Sequence, residues 1–362
     1  MGVTFSFPMV QRSLADAVPM SMGKGFKLDD ETDLASKLLH GYEKYRGELP
    51  AVTISAIAND SVSTLISFIY QYSTSDERMA AMGLIVGTGT NATVSLPAAT
   101  LGQKVQDVHL NSGTEVDSPD TKIAVNTEWT INGTAGPLRD FGLITPWDEE
   151  LDQHSGAPGF QPLEYLTAGR YLGELGRIIF LDCLTRELGV APNTLPAALE
   201  ERYAMTTTFL SYFGPPSPRF LEKLETTFPS STGKSGFKWD ETHVEVLYEI
   251  AQAIERRAAS ILAAATVALL RVSGEIPSAS EVPATTTSAG KQKVLGVGYT
   301  GGCIVNFQNY LYDYEKLIEQ ILAGEFGKAP PVRVELMACH HGGITGAGIL
   351  AAAVLANEKK GA

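Results

Sequence analysis

Cysteine and histidine are scarce in this sequence, and their scarcity argues against two classes of protein. The 362 residues include three widely spaced cysteines, Cys183, Cys303 and Cys339, so neither a disulfide framework nor a CxxC metal site is predicted. Of the six histidines, two form the pair His340–His341, which lacks companion ligands and indicates loop histidines. We therefore expect no resident metal centre and a cytoplasmic location.

Long apolar segments are also lacking. The longest run, residues 258–270, lies between Arg257 and Arg271 and is too short to cross a bilayer. Its alanine content favours a buried helix instead. The first ten residues, MGVTFSFPMV, show no basic stretch followed by an apolar core, so no signal peptide is expected. We predict a protein without a transmembrane segment.

Basic residues are outnumbered, with 28 lysines and arginines against 41 acidic residues and a net charge of −13. An acidic surface repels phosphate backbones, so we expect no nucleic acid among the partners. A site that binds a nucleotide would need local lysine, backbone amides or a metal ion to work against that field.

Strand and helix patterns alternate along the chain and predict an α/β protein. Strands are predicted at 51–58, 82–86, 93–96, 122–129, near Val294 and at 332–337. Helices are predicted at 33–45, 61–70, 162–188, 241–273 and 309–322, and a glycine-rich turn at 342–348 is expected to open the last helix. The helix at 162–188 carries small residues that allow close packing, at Ala168, Gly169, Gly173 and Gly176.

Asp60 closes a predicted strand beside Asn59, and a helix is predicted to follow. A carboxylate at a strand end in an α/β protein faces the usual ligand crevice, which suggests a general base. Aspartate is also a favoured N-cap residue, so a purely structural role for Asp60 is the alternative.

The segment Gly87–Asn91 reads GTGTN and joins two predicted strands. Its glycines would let backbone amides approach an anion, although the pattern is neither a Walker loop nor GxGxxG. A tight hairpin without a ligand is the alternative.

Two carboxylates and one lysine complete the candidate residues. Glu128 follows a predicted strand in the sequence NTEW, and Glu164 lies in the first turn of a predicted helix. Carboxylates accept hydrogen bonds from neighbouring sugar hydroxyls well, but the helix dipole also explains an acid in a first turn. Lys24 lies between glycines in MGKGF and could contact an anion or simply be solvated.

The order of these motifs is more specific than any one of them. SFP at 6–8, MGKGF, AIANDSVSTL, GLIVGTGTN, VNTEW, APGFQPLE and YLGELGR follow one another as in the hexokinase family, which the sequence resembles from Ser6 onward. The resemblance implies an actin-like ATPase (ribonuclease H-like) fold with two domains. It also implies transfer of the γ-phosphoryl group of Mg-ATP to the 6-hydroxyl of a hexose, with glucose the expected sugar.

The resemblance assigns roles to individual residues. Asp60 corresponds to the catalytic base. The sugar ligands correspond to Ser6, Lys24, Asn59, Asn91, Glu128, Gln161 and Glu164. The second phosphate loop and the nucleotide-facing segments correspond to Gly87, Thr88, Gly89, Thr90, Thr207, Ser211, Gly301 and Gly302.

The sequence departs from the family pattern on the phosphate side. The family's Asp-x-Gly-Gly-Thr loop lies ahead of the SFP segment, and this sequence starts just before SFP. Gly23 replaces a threonine before Lys24, and the acids of two glycine turns are missing at Thr300 and in HGGITGAG, residues 341–348. These departures predict an incomplete small domain, formed by residues 1–60 and 346–362, beside a large domain at 61–345.

Three interpretations follow for function. The first is an ATP-dependent hexose kinase. The second is a catalytically impaired relative that senses sugar or regulates a partner. The third is a chain that needs a protein partner or self-association to complete its small domain, because an incomplete sheet exposes unpaired edges.

Overall fold

The computed structural model describes residues 1–20, 33–72, 75, 77–105, 121–129, 133–230, 237–281 and 292–361. Within these ranges the chain forms nine strands: β1 (Gly2–Phe5), β2 (Met9–Val10), β3 (Val18–Pro19), β4 (Ala56–Asn59), β5 (Arg78–Val86), β6 (Thr90–Pro97), β7 (Lys122–Asn126), β8 (Lys293–Thr300) and β9 (Val332–Ala338).

The same ranges hold thirteen α-helices: α1 (Leu34–Tyr45), α2 (Asp60–Gln71), α3 (Ala135–Asp140), α4 (Pro146–Gln153), α5 (Pro162–Thr167), α6 (Gly169–Asp182), α7 (Ala197–Glu200), α8 (Thr207–Ser211), α9 (Pro218–Thr227), α10 (Glu241–Val272), α11 (Gly302–Asn306), α12 (Tyr310–Phe326) and α13 (Gly342–Gly361). Tighter or wider helical turns occur at Ala98–Val105, Cys183–Glu187, Pro192–Thr194 and Ala279–Glu281.

Five strands form one mixed sheet in the order β7-β6-β5-β8-β9. β6 is antiparallel to both of its neighbours, β7 and β5, and β8 and β9 run parallel to β5. β1 and β4 form a separate parallel pair, and β2 and β3 form a short antiparallel pair. The strands β5 and β8 are buried along most of their length, as expected for central strands covered on both faces.

Helix α2 lies directly on the five-stranded sheet because glycines in the strands leave room for it. A Cβ atom at Gly83 would lie 2.6 Å from the backbone nitrogen of Leu65, and one at Gly298 would lie 2.5 Å from the ring of Phe68. This packing places the first turn of α2 beside β5. Because α2 follows β4 without a loop, the carboxyl end of β4 lies in the same region.

Helix α10 is the longest element and carries much of the core. Its predicted extent, 241–273, agrees with the observed Glu241–Val272. The apolar run at 258–270 is a buried part of this helix, with Ala258, Leu262 and Leu270 fully buried. No helix in the described ranges has the length and apolar character that crossing a membrane requires.

The predicted helix at 33–45 is confirmed, with Asp33 as its N-cap accepting a hydrogen bond from the Ser36 backbone. Two strand predictions are too long, because residues 51–55 and 127–129 lie outside β4 and β7. At the other end of the chain, the predicted glycine turn at 342–348 is wrong, because α13 already begins at Gly342.

The glycines at the start of α13 serve packing between helices. A Cβ atom at Gly346 would lie 1.9 Å from the carbonyl oxygen of Ser63 in α2. On the β1 side, a Cβ atom at Gly2 would lie 2.0 Å from the carbonyl oxygen of Ala347. Helix α13 therefore packs on both α2 and β1, and the domain boundaries at residues 60 and 346 stay a prediction.

Candidate active site

The junction between β4 and α2 presents Asp60. The Asn59 side chain caps the helix, because its Oδ1 atom accepts hydrogen bonds from the Ser61 backbone at 2.9 Å and the Ser61 hydroxyl at 2.8 Å. The alternative interpretation of Asp60 as the N-cap is therefore wrong. Asp60 occupies the first helical position, and its partly buried side chain lines a cavity.

The GTGTN segment joins β5 and β6 as a tight antiparallel turn, with Val86 paired to Thr90. The predicted strand, glycine turn and strand are confirmed. The turn is held from outside, because the backbone nitrogens of Gly169 and Arg170 donate to the carbonyl oxygens of Gly87 and Thr88, at 2.8 and 3.1 Å.

These two hydrogen bonds explain why the helix predicted at 162–188 is interrupted. Ala168 has extended backbone angles between α5 and α6, so the first backbone N–H groups of α6 point at the GTGTN turn. The small residues allow this contact as predicted. A Cβ atom at Gly169 would lie 2.8 Å from the Gly87 carbonyl oxygen, and one at Gly173 would lie 2.3 Å from the Thr206 backbone.

A cavity of about 570 Å³ lies on one side of the turn, and a cavity of about 480 Å³ lies on the other. We call them the outer and the inner cavity. Gly87 and Thr88 line both cavities, so the turn forms the wall that the two cavities share. The predicted site residues that line the inner cavity are Ser6, Asp60, Gly87, Thr88, Gly89, Thr90, Asn91, Glu128, Gln161 and Glu164.

Glu128 is the centre of a hydrogen-bond network at the base of the inner cavity. Its Oε1 atom accepts hydrogen bonds from the side-chain amides of Asn59, Asn91 and Asn126, at 3.3, 3.1 and 2.8 Å. The Asn91 amide also donates to Asn126 Oδ1 at 2.9 Å. Because the three amides donate to one oxygen, they hold the carboxylate in one orientation.

The backbone at Glu128 supports the same conclusion. Glu128 and Trp129 have φ angles of 44° and 41°, in a region that few non-glycine residues adopt. Backbone strain of this kind persists only where surrounding contacts enforce it, and it concentrates at functional sites. This unusual backbone conformation follows directly after the end of β7 at Asn126, at the point where Glu128 lines the cavity.

Glu164 and Gln161 approach the inner cavity from α5. Glu164 is 4% exposed, and its Oε2 atom accepts a hydrogen bond from the Thr90 backbone at 3.1 Å. Gln161 precedes Pro162 and is also buried. The carboxylate of Glu164 is therefore held by the GTGTN turn, and the same residue lines the inner cavity.

The outer cavity collects the predicted nucleotide-facing residues Gly87, Thr88, Thr207, Ser211 and Gly302. The Thr207 hydroxyl has a structural role there, since it accepts from the Gly173 backbone nitrogen at 2.7 Å and donates to the Gly169 carbonyl at 2.6 Å. Burial raises the pKa of the Cys303 thiol to about 12, so this cavity-lining cysteine stays protonated.

Gly301 does not line either cavity but abuts the GTGTN turn. Its φ of 128° favours glycine, and a Cβ atom there would lie 2.1 Å from the Val86 carbonyl oxygen.

Lys24, predicted on the sugar side, lies outside the described residues. No group of three or more histidine, cysteine, aspartate or glutamate residues in the described ranges is arranged to hold a metal ion.

Two contributors to the site were not among the sequence predictions. Asn126 lies in the same VNTEW motif as Glu128, and only the pairing of β7 with β6 shows that it meets Asn91. Arg170 lines the outer cavity with its guanidinium 5.2 Å from the centre of the Tyr203 ring. The position of Arg170 beside the small residues at 168–176 is the sequence feature that could have predicted its place at the site.

Comparison with known proteins gives a consistent result. Residues 81–353 match one family model described as Hexokinase, and residues 1–70 match a second with the same description. Hexokinase-7 of Oryza sativa subsp. japonica is 29% identical over 98% of this chain and 68% of its own length. Hexokinase-1 of Mus musculus is 36% identical over 52% of this chain and 17% of its own length.

Solved structures agree with the sequence matches. A hexokinase from Schistosoma mansoni complexed with glucose aligns with a TM-score of 0.71 at 25% identity, over 97% of this chain and 69% of that one. A second crystal structure of a hexokinase aligns with a TM-score of 0.63 at 24% identity, over 98% of this chain and 67% of that one. The α/β architecture is therefore the actin-like ATPase fold, as predicted.

Proposed function

The chain belongs to the hexokinase family, as the match of residues 81–353 to the family model shows, and from this premise we propose that it transfers the γ-phosphoryl group of ATP to the 6-hydroxyl of glucose. One observation carries the proposal. The inner cavity, with its fixed carboxylates, and the outer cavity share the Gly87–Thr88 turn, so two substrates bound in them would meet beside Asp60.

The inner cavity fits a hexose because it is lined with hydrogen-bond acceptors and donors. The carboxylates of Glu128 and Glu164 would accept from neighbouring sugar hydroxyls, and the Asn91 amide would add a further contact. Their orientations are set before binding by the amide network and by the Thr90 backbone. Binding energy is then not spent on ordering these side chains.

The outer cavity fits a nucleotide at its phosphate end. Backbone amides of a glycine turn suit phosphate oxygens, and the Arg170 guanidinium lies at the same cavity. Mg²⁺ would enter with ATP as part of the substrate and neutralise charge on the phosphates.

Asp60 is the residue for proton transfer. Its carboxylate would accept the proton of the 6-hydroxyl as that oxygen forms a bond to the γ-phosphorus, while the bond from the γ-phosphorus to the ADP oxygen breaks. The position of Asp60 at the start of α2, in the cavity and beside the turn, suits this role.

A direct test is calorimetric titration of the purified chain with glucose, followed by a coupled assay of ADP formation with Mg-ATP. We expect saturable binding with one site and ADP formation that depends on glucose. Replacement Glu128→Gln should weaken glucose binding by about 10- to 100-fold, because a hydrogen bond to a charged group contributes roughly 1.5–3 kcal/mol. Glu150→Gln, on the exposed surface of α4, is the matched control.

The outcomes separate the interpretations. Glucose binding without ADP formation would support a catalytically impaired, sugar-sensing relative. Absence of glucose binding in a folded chain would overturn the proposal.

A further inference from the structure

A cavity of about 380 Å³ lies between α10 and α12, and it shares no lining residue with the inner or outer cavity. Its lining residues are Gln252, Ala253, Glu255, Arg256, Asn309 and Asp313. This volume falls within the range of small-molecule sites and exceeds what one ion needs. Five of the six residues are polar, and four of the six are exposed, so the cavity opens to solvent while Glu255 lies buried within it.

Glu255 is the unusual member of this set. The residue is 3% exposed, and its Oε1 atom is buried without a hydrogen-bond partner. Buried carboxylates in native proteins are normally paired, because an unpaired one loses its hydration without replacement. Within the described ranges, therefore, no amide, hydroxyl or cationic side chain donates a hydrogen bond to Oε1 of this cavity-lining carboxyl group.

Asp313 on α12 approaches the same carboxyl group. Burial, together with the charge of Asp313 and a hydrogen bond with its carboxyl group, raises the pKa of Glu255 to about 8, against the opposing charge of Arg256. Glu255 in turn contributes to the raised pKa of Tyr310 on α12. Two carboxyl groups this close share a proton unless a cation joins them.

We propose that this cavity binds a small zwitterion, whose ammonium group lies between the Glu255 and Asp313 carboxylates and whose anionic group contacts Arg256. An ammonium group supplies the hydrogen-bond donor that Oε1 of Glu255 lacks. The exposed Arg256 supplies a cation at the open side, and the amides of Asn309 and Gln252 suit a polar substituent.

A metal ion fits this cavity less well. The two carboxylates are its acidic ligands, and no group of three such ligands occurs in the described ranges. Arg256 would also repel a divalent cation, whereas it attracts the anionic end of a zwitterion.

Calorimetry with three related compounds tests the proposal. L-Serine carries both charges, ethanolamine lacks the carboxylate, and 3-hydroxypropionate lacks the ammonium group. We expect saturable binding of L-serine, at least tenfold weaker binding of ethanolamine, and no binding of 3-hydroxypropionate. Because bound ligand needs ionised Glu255, affinity for L-serine should rise about tenfold per pH unit between pH 6 and 8.

Variants locate the site. Glu255→Gln and Asp313→Asn should each weaken L-serine binding at least tenfold, while Glu245→Gln, an exposed change on the same helix, should leave it unchanged. Arg256→Gln should reduce L-serine binding to the level of ethanolamine and leave ethanolamine binding unaffected. Thermal melting of each variant verifies that the fold is intact.

Several results would overturn the proposal. They are absence of L-serine binding, binding that the Glu255 and Asp313 variants leave unchanged, equal binding of L-serine and 3-hydroxypropionate, and binding of Ca²⁺ in place of L-serine. None of them bears on glucose phosphorylation, because the cavity lies outside both substrate cavities.

Discussion

Replacement of Asn126 by alanine tests whether the amide network prepares the sugar site. The change removes the hydrogen bond to Glu128 Oε1 at 2.8 Å and the bond from Asn91 at 2.9 Å. A bond to a charged group contributes about 1.5–3 kcal/mol and a neutral bond about 0.5–1.5 kcal/mol. Asn59 and Asn91 still donate to Glu128 in this variant. We therefore expect glucose binding to weaken by about 2 kcal/mol, the sum of the two lower limits.

That energy corresponds to a glucose dissociation constant that is roughly 30-fold higher. The assay is glucose titration followed by tryptophan fluorescence, since the buried Trp129 adjoins Glu128. Asn193→Ala, in an exposed turn, is the control. Asn126→Asp keeps the shape but sets a second carboxylate against Glu128, and it should weaken binding at least as much.

The reasoning would be refuted if Asn126→Ala bound glucose as tightly as the parent chain while its melting temperature stayed the same. A lower melting temperature with unchanged glucose affinity would assign Asn126 to stability alone.

Two further predictions concern stability. Gly173→Ala should lower the melting temperature, because its Cβ atom would lie 2.3 Å from the Thr206 backbone and overpacking typically costs about 1–3 kcal/mol. Gly324→Ala should raise the melting temperature, because its Cβ position in α12 faces open space. A change of the same sign in both variants would contradict this account. Burial alone would raise the pKa of Glu275, but hydrogen bonds from Lys122 and Lys293, at 2.6 and 2.7 Å, outweigh it and lower the pKa. A lowered pKa means that the folded state holds the proton less tightly, so Glu275 stabilises the fold above its ordinary value of 4.5 and loses this effect as pH falls through the lowered pKa. Glu275→Gln should therefore reduce the melting temperature at pH 7, with the difference from the parent chain shrinking in acid; a constant difference would exclude the ion pairs as the cause.

Local patterns predicted the elements whose structure depends on neighbouring residues. The helix at 33–45 was predicted from Leu34, Leu38 and Tyr42 at four-residue spacing, and the structure shows in addition that Asp33 caps it. The GTGTN turn between two strands and the long helix at 241–273 were predicted for similar reasons, and both are confirmed.

Distant contacts explain the errors. The break at Ala168 arises because the Gly169 backbone donates a hydrogen bond to Gly87, a residue about 80 positions earlier in the chain. The glycines at 342–348 suggested a turn, but they form the start of α13 because they pack against Ser63 and Thr4. Neither contact has a signal in the local sequence.

The site residues show the same division. The resemblance predicted Asn59, Asn91 and Glu128, and the structure brings their side chains into one network. Asn126 was missed because its role depends on the register between β6 and β7. The roles of all these residues in binding and catalysis stay predictions that the variants above can test.

The most direct test of the central claim is turnover and glucose affinity measured together for Asp60→Asn. The amide keeps the size of the side chain but cannot accept the proton of the 6-hydroxyl. We predict that kcat falls by about 10²- to 10⁴-fold, the usual contribution of a general base, while the glucose dissociation constant changes by only a few fold. Unchanged turnover in a folded Asp60→Asn variant would contradict the role of Asp60 as the base.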